Sequence, residues 1–285
     1  MIMKHFKALL TISTTVLAIS TPWITALAKD TSSANATSEK VSNSLSQKTD
    51  STNATITSAL SGPQVEEVNQ LIHDYIIKNP EILIEAGQIL QKRQAEAQQN
   101  AAISAISANK EVLFNNDTSP VIGNPEGSDI IVEFYDYQCG HCKDMNPSIS
   151  ELLSDNPSAK IILKELPIFG GNSEFAAKAS LAVFKIAPKS FAHFHKQLLD
   201  VEGPLSEEKV IATAKKLDIN VNKMKSAMEK PEIQAELKQN FQIAQKIGIQ
   251  GTPAFVLTNK ELSKFGYIPG ATSKDNLTKQ LNELH

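Results

Sequence analysis

The 285-residue chain is expected to form an α/β domain with a long helical insertion, preceded by a helical N-terminal stalk. Three observations predict this. Asp129–Tyr137 is rich in β-branched and aromatic residues and reads as a largely buried strand. Helical spacing then dominates from Asn172 to Ile247, and strand-like sequence returns only after Gly251-Thr252-Pro253. Strands, then helices, then strands fit one mixed domain with an insertion. A composition of 41% hydrophobic and 21% charged residues with a net charge of −3 suits a chain that buries a full core. Its charges are scattered without a basic block, so neither nucleic acid nor an anionic membrane surface is an expected partner.

The N-terminus comes first in order. Met1–Lys7 is a short basic region, Ala8–Ile24 is mostly apolar, and Ala26-Leu27-Ala28 fits a small-x-small cleavage site. Residues 1–28 are therefore expected to be a signal peptide, cleaved before Lys29. The alternative is an uncleaved anchor; Thr and Ser interrupt the apolar run, and no cysteine follows that could carry a lipid. Lys29–Gly62 is dominated by Ser, Thr, Asn and Ala without hydrophobic period and is expected to be a disordered leader. Val65, Val68, Ile72, Tyr75 and Ile76 then recur at helical spacing up to Asn79-Pro80, where a helix should end or bend. A second helix begins at Glu81, strongly apolar on one face to Leu90, whereas Gln91–Asn109 is rich in Ala and Gln and reads as stalk, not core. Short helices cannot bury an apolar face alone. Residues 63–114 are thus expected to associate with a second copy, the alternative being packing onto the same chain.

The main domain is expected over 115–285. Ser119–Ile122 and Asp129–Tyr135 read as strands around the turn-rich Gly123–Gly127. Met145, Ile149, Leu152 and Leu153 share a helical face, and Lys160–Leu166 reads as a further strand, so that a parallel strand-helix-strand unit is expected. The insertion, about 172–247, divides into helices at Asn172–Ala187, Ser190–Asp200, Ser206–Leu217 and Asn222–Ile247. Ala254–Leu257 and Phe265–Ile268 complete the strands, and Ser273–Leu284 closes as a helix.

The only two cysteines stand together in Cys139-Gly140-His141-Cys142, where the strand ends and the helix starts. Unpaired N–H groups and the helix dipole favour a thiolate there. A free thiol ionises near ~8.5, and CxxC thiols at helix starts fall to roughly 3.5–7.5. Cys139 is then the nucleophile, and Cys142, one turn on and more buried, is positioned to resolve a mixed disulfide. His141 can stabilise the thiolate further and make the disulfide more oxidising. Zinc would need a second ligand pair that the sequence lacks, since His193 and His195 would face different sides of a helix. An inert disulfide would close a loop too short to constrain the unfolded chain much. Neither a metal nor a cofactor is called for.

With these residues in place, 115–285 resembles the DsbA family of periplasmic thiol-disulfide oxidoreductases, which have a thioredoxin-like fold. The resemblance rests on Glu133-Phe-Tyr-Asp-Tyr-Gln-Cys-Gly-His-Cys142, Lys164, Gly170-Gly171 and Gly251-Thr-Pro-Ala-Phe255. It implies a cis Pro253 whose loop lies against the cysteines, with Gly251, Thr252 and Pro253 docking extended substrate. It also implies a buried acid at Glu133, able to exchange a proton with Cys142, with Lys164 as its basic partner; simple strand alternation could instead leave Glu133 at the surface. Tyr75–Ala86 is similar to the oligomerising stalk of DsbA-like proteins related to ScsC and Com1, implying a homodimer or trimer. Gly140-His141 is the dipeptide of eukaryotic protein disulfide isomerase, where oxidases of the family carry Pro-His.

The function expected is formation and isomerisation of disulfides in exported proteins carrying thiols or disulfides, in the periplasm, with a membrane redox partner setting the state of the cysteines. Three alternatives remain: a pure dithiol oxidase, a copper-handling protein using two soft thiol ligands, and a structural surface protein whose stalk is the working part.

Overall fold

The computed structural model describes residues 60–285. The signal peptide and nearly all of the expected leader lie outside the described residues. Two units are distinguished, one ending at Ile84 and one spanning Glu85–His285.

In the first unit, Ser61 precedes helix α1 (Gly62–Lys78), and its N–H donates to the Gln64 side chain at 2.8 Å, half of a capping box. Helix α1 ends before Asn79-Pro80, where the sequence places a break, and no residue of it is buried. Helix α2 (Glu81–Ala108) follows, and from Glu85 onward it belongs to the second unit. Val68, Leu71, Ile72, Tyr75, Leu83 and Ile84 are all exposed.

In the second unit, α3 (Lys110–Phe114) leads to β1 (Val121–Gly123) and β2 (Asp129–Tyr135). Helix α4 (Gly140–Asp155) connects β2 to β3 (Ala159–Glu165). Five helices follow: α5 (Gly171–Ile186), α6 (Pro188–Leu199), α7 (Glu207–Lys216), α8 (Val221–Met228) and α9 (Pro231–Ile247). The chain ends with β4 (Ala254–Thr258), β5 (Phe265–Ile268) and α10 (Lys274–Glu283). The sheet order is β1-β3-β2-β4-β5, with β2 parallel to β3 and antiparallel to β4. This is the thioredoxin-like fold with a helical insertion. Among the described residues no helix is long and apolar enough to cross a membrane.

Strand β2 is buried on both faces, which is why it reads as a continuous apolar run instead of an alternating one. One face sets Ile131 and Tyr135 against the core under α4, α5 and α6; the other sets Ile130, Val132 and Phe134 against Ile243, Ala244 and Ile247 of α9.

Three expectations need correction. Ala102 and Ile106 of α2 and Leu113 and Phe114 of α3 are buried in that second core, so 91–114 is not stalk alone, and the compact domain does not begin at Asn115. A helix made mostly of Ala and Gln can still seat a few small apolar side chains on a sheet. The expected single helix Asn222–Ile247 is two, α8 and α9, because Pro231 occupies the first turn of a new helix. The strand expected to run to Tyr137 ends at Tyr135, and Tyr137 lies in a turn.

Candidate active site

The strand-to-helix junction positions the cysteines. Cys139 is the N-cap of α4, with extended backbone angles, and its N–H donates to the Asp136 carbonyl at 3.1 Å. Strand β4 runs antiparallel to β2 with Ala254 opposite Phe134, so the residues just before β4 arrive beside those just after β2. The Thr252–Pro253 bond is cis. The Cys139 thiol donates to the Thr252 carbonyl at 3.1 Å, so the loop lies against the sulfur.

Both cysteines are present as thiols and both are buried, Cys139 4% exposed and Cys142 1%. Their acidities are driven apart. The Cys139 thiol is lowered to about 5, first by a hydrogen bond from the Cys142 thiol, against burial, and then by the Thr252 side chain and the backbone N–H groups of Cys142 and His141. Cys142 is pushed well up by donating that same bond and by burial. One sulfur is thus ready to attack while the other keeps its proton. The His141 side chain is exposed, and it is the backbone N–H that acts on Cys139. A Cβ at Gly140 or Gly251 would meet nothing within 4 Å beyond its chain neighbours.

Glu133 is 3% exposed, on the cysteine side of β2. Its carboxyl is raised to about 8, mainly by burial and further by the charge of Cys139. It is therefore a buried acid, not a surface residue, and holds its proton at neutral pH.

Lys164 is not its partner. In the β2–β3 register Glu133 pairs with Leu163 and Phe134 with Lys164, so alternation sends Lys164 to the opposite face of the sheet. There its Nζ donates to Ser119 Oγ at 2.6 Å and the Val112 carbonyl at 3.2 Å and lies 3.6 Å from Glu236.

Several polar residues of the site were not picked out by sequence reasoning. Asp136 is buried and accepts from the Gln138 N–H at 2.7 Å, from Ser173 Oγ at 2.6 Å and from the Phe169 N–H at 3.3 Å. It ties the cysteine turn to the start of α5, where Gly170 and Gly171 both take positive φ values that side-chain-bearing residues rarely adopt. Beneath the turn, Tyr135 bonds to Glu165, and the Tyr137 hydroxyl meets Ser180 Oγ at 2.8 Å and His195 Nδ1 at 2.9 Å. Burial raises Glu165 well above the carboxylate range and lowers His195 to about 3, so the cluster is neutral at physiological pH. Only the Tyr-Asp-Tyr run beside the cysteines hinted at it. Among the described residues no group of three or more His, Cys, Asp or Glu is placed to hold a metal.

An acidified thiol facing a cis-proline loop, on a thioredoxin-like sheet, defines a protein of thiol-disulfide exchange. The comparisons narrow that class. Residues 130–282, more than half the chain, match the DSBA-like thioredoxin domain, and the chain belongs to that family; residues 64–97 match the copper resistance protein ScsC N-terminal domain. It is similar to disulfide bond formation protein D of Bacillus subtilis, 28% identical over 159 residues, covering 51% of this chain and 70% of that one. Among solved structures it resembles Proteus mirabilis ScsC in a transitional conformation, with 32% identity, a TM-score of 0.57 and coverage of 79% of this chain and 98% of that one. It also resembles Salmonella enterica Typhimurium BcfH, with 28% identity, a TM-score of 0.67 and coverage of 78% and 96%. The protein is a thiol-disulfide oxidoreductase of the DsbA/ScsC type.

Proposed function

We propose that the protein forms and reshuffles disulfides in exported proteins, working in the periplasm after signal-peptide removal, as a self-associated oligomer whose cysteines are recharged by a membrane redox partner. Cys139 thiolate attacks a substrate disulfide, forming the Cys139–substrate bond as the substrate S–S bond breaks and one substrate thiolate leaves. Once Cys139 is held in the mixed disulfide its charge no longer raises Glu133, and the ionised fraction of that carboxyl takes the proton of Cys142, which attacks Cys139 and expels the second substrate thiol, leaving a Cys139–Cys142 disulfide. Run backwards, the same steps oxidise a dithiol, and Glu133 returns the proton to Cys142. Thr252 and Pro253 dock the substrate chain, and His141 tunes the thiolate.

The observation that carries the isomerase reading is the unburied apolar face of α1 and the start of α2. Leu71, Ile72 and Tyr75 are 63, 53 and 60% exposed within one chain. Apolar side chains at helical spacing suit a homodimer or trimer, which would hold several active sites around one substrate. Truncation at Asn115 would strip Ala102, Ile106, Leu113 and Phe114 from the core, so the test is a surface change. Leu71→Glu with Ile72→Glu should give a monomer by light scattering that still oxidises a reduced polypeptide but no longer reactivates one with scrambled disulfides. A monomer that reshuffles as well as the unaltered protein would sink the reading.

A further inference from the structure

A cavity of about 560 Å³ adjoins the cis-proline loop in the Glu85–His285 unit. One wall is the loop itself, through Gln250, Thr252 and Pro253; another is α2, through Ala95, Gln98 and Gln99. The Gln99 amide donates to the Tyr267 carbonyl of β5 at 3.1 Å, which fixes the helix at the rim. The lining contains no charged side chain. Ala and Gln in this part of α2 therefore do more than extend a stalk.

We propose that α2 forms one wall of a cleft for the uncharged, extended stretch of substrate polypeptide that flanks the reacting cysteine. This rests on the reading that Thr252 and Pro253 dock substrate. Thr252 supplies both a cavity wall and the carbonyl that touches Cys139. An extended chain advances about 3.3 Å per residue, so a chain engaged here has its cysteine only a residue or two from the sulfur. Each glutamine carries both donor and acceptor atoms and can pair with main-chain amides whatever the side chains, which suits an enzyme that meets many sequences. A charged flank would lose water to a lining that offers no counter-charge. The volume falls within the range of roughly 300–1,000 Å³ found for binding sites.

The test uses the full chain, a ten-residue peptide with one central cysteine and uncharged flanks, and glutathione as a small thiol that needs no cleft. Ala95→Trp fills the cavity from an exposed helix position. It should raise KM for the peptide about tenfold with kcat kept, as expected when uniform binding is lost, while exchange with glutathione is unchanged. Gln98→Glu should penalise an Asp-flanked peptide more than a Lys-flanked one, a readout that general disturbance of the helix would not produce. Peptide KM unchanged in both variants, or peptide and glutathione slowed alike, would overturn the cleft. If the unaltered protein exchanged with glutathione but the peptide gained nothing from Thr252 and Pro253, the docking reading would fall and the cleft with it.

Discussion

Glu133 and Lys164 are both buried, on neighbouring central strands, and the fold treats them oppositely. Lys164 is surrounded: Ser119, the Val112 carbonyl and Glu236 meet its ammonium, and Glu236 in turn accepts from Ser119 at 2.7 Å, from Asn116 at 3.2 Å and from Thr118. Burial works to raise Glu236, but the Lys164 charge and these hydrogen bonds hold it below its usual value, while burial lowers Lys164. Glu133 has no cation among the causes of its shift, only burial and the charge of Cys139, both driving it towards the neutral acid. A buried charge with a full set of partners fastens a structure. A buried acid without a cation, next to a thiol that must gain and lose a proton, is placed for chemistry.

The largest effect should come from breaking the fastened side. Lys164→Ala leaves the Glu236 carboxylate without its cation at a 4% exposed position, and removing one partner of a buried pair costs about 3–5 kcal/mol. Denaturant unfolding should show that loss, with the activity of the folded fraction unchanged. If exchange fell beyond the folded fraction, Lys164 would belong to the redox site after all.

On the other side the effect should be kinetic. Glu133→Gln cannot carry the Cys142 proton, and general acid-base groups contribute roughly 100-fold or more. Stopped-flow traces should show a slower resolving step, while the titration of Cys139 stays near 5, a range in which Glu133 is neutral in any case. Stability gives a second check. The folded protein holds the Glu133 proton up to about 8 and the unfolded chain only to about 4.5, so this group's contribution is fully present below 4.5 and is lost as pH rises through 8. Replacement by Gln should flatten that slope and raise stability above pH 8. An unchanged slope would mean that Glu133 is not the buried acid.

The contrast also explains what could be read from the sequence. The cysteine turn was legible because its signals are local: an apolar run, CxxC, then helical spacing, with Gly251-Thr252-Pro253 before the next strand. The Lys164 assignment failed because Lys160–Leu166 is buried on both sides and lacks an alternating pattern to mark its faces; register against β2 decides, and register is non-local. Glu236, Ser119 and Asn116 meet across more than a hundred residues, as Tyr137 meets His195 across 58. Ala102 and Ile106 looked like stalk because burial of a weakly apolar helix depends on the surface it meets. Pro231, by contrast, is a local helix-start signal inside 222–247.

The smallest effect should follow from removing the fastened pair altogether. Replacing a buried ion pair by apolar residues of similar volume is often neutral or stabilising, because two desolvation penalties disappear with the attraction. Here the gain is partly offset: Ser119, 1% exposed, donates to Glu236 and accepts from Lys164, and would lose both partners. An orphaned buried hydroxyl costs about 1–3 kcal/mol. Lys164→Met with Glu236→Leu should therefore unfold within about 2 kcal/mol of the unaltered protein, far above Lys164→Ala alone, with exchange activity intact. A double variant as unstable as the single one would mean that the Ser119, Thr118 and Asn116 bonds, not the charge pair, hold this side of the sheet.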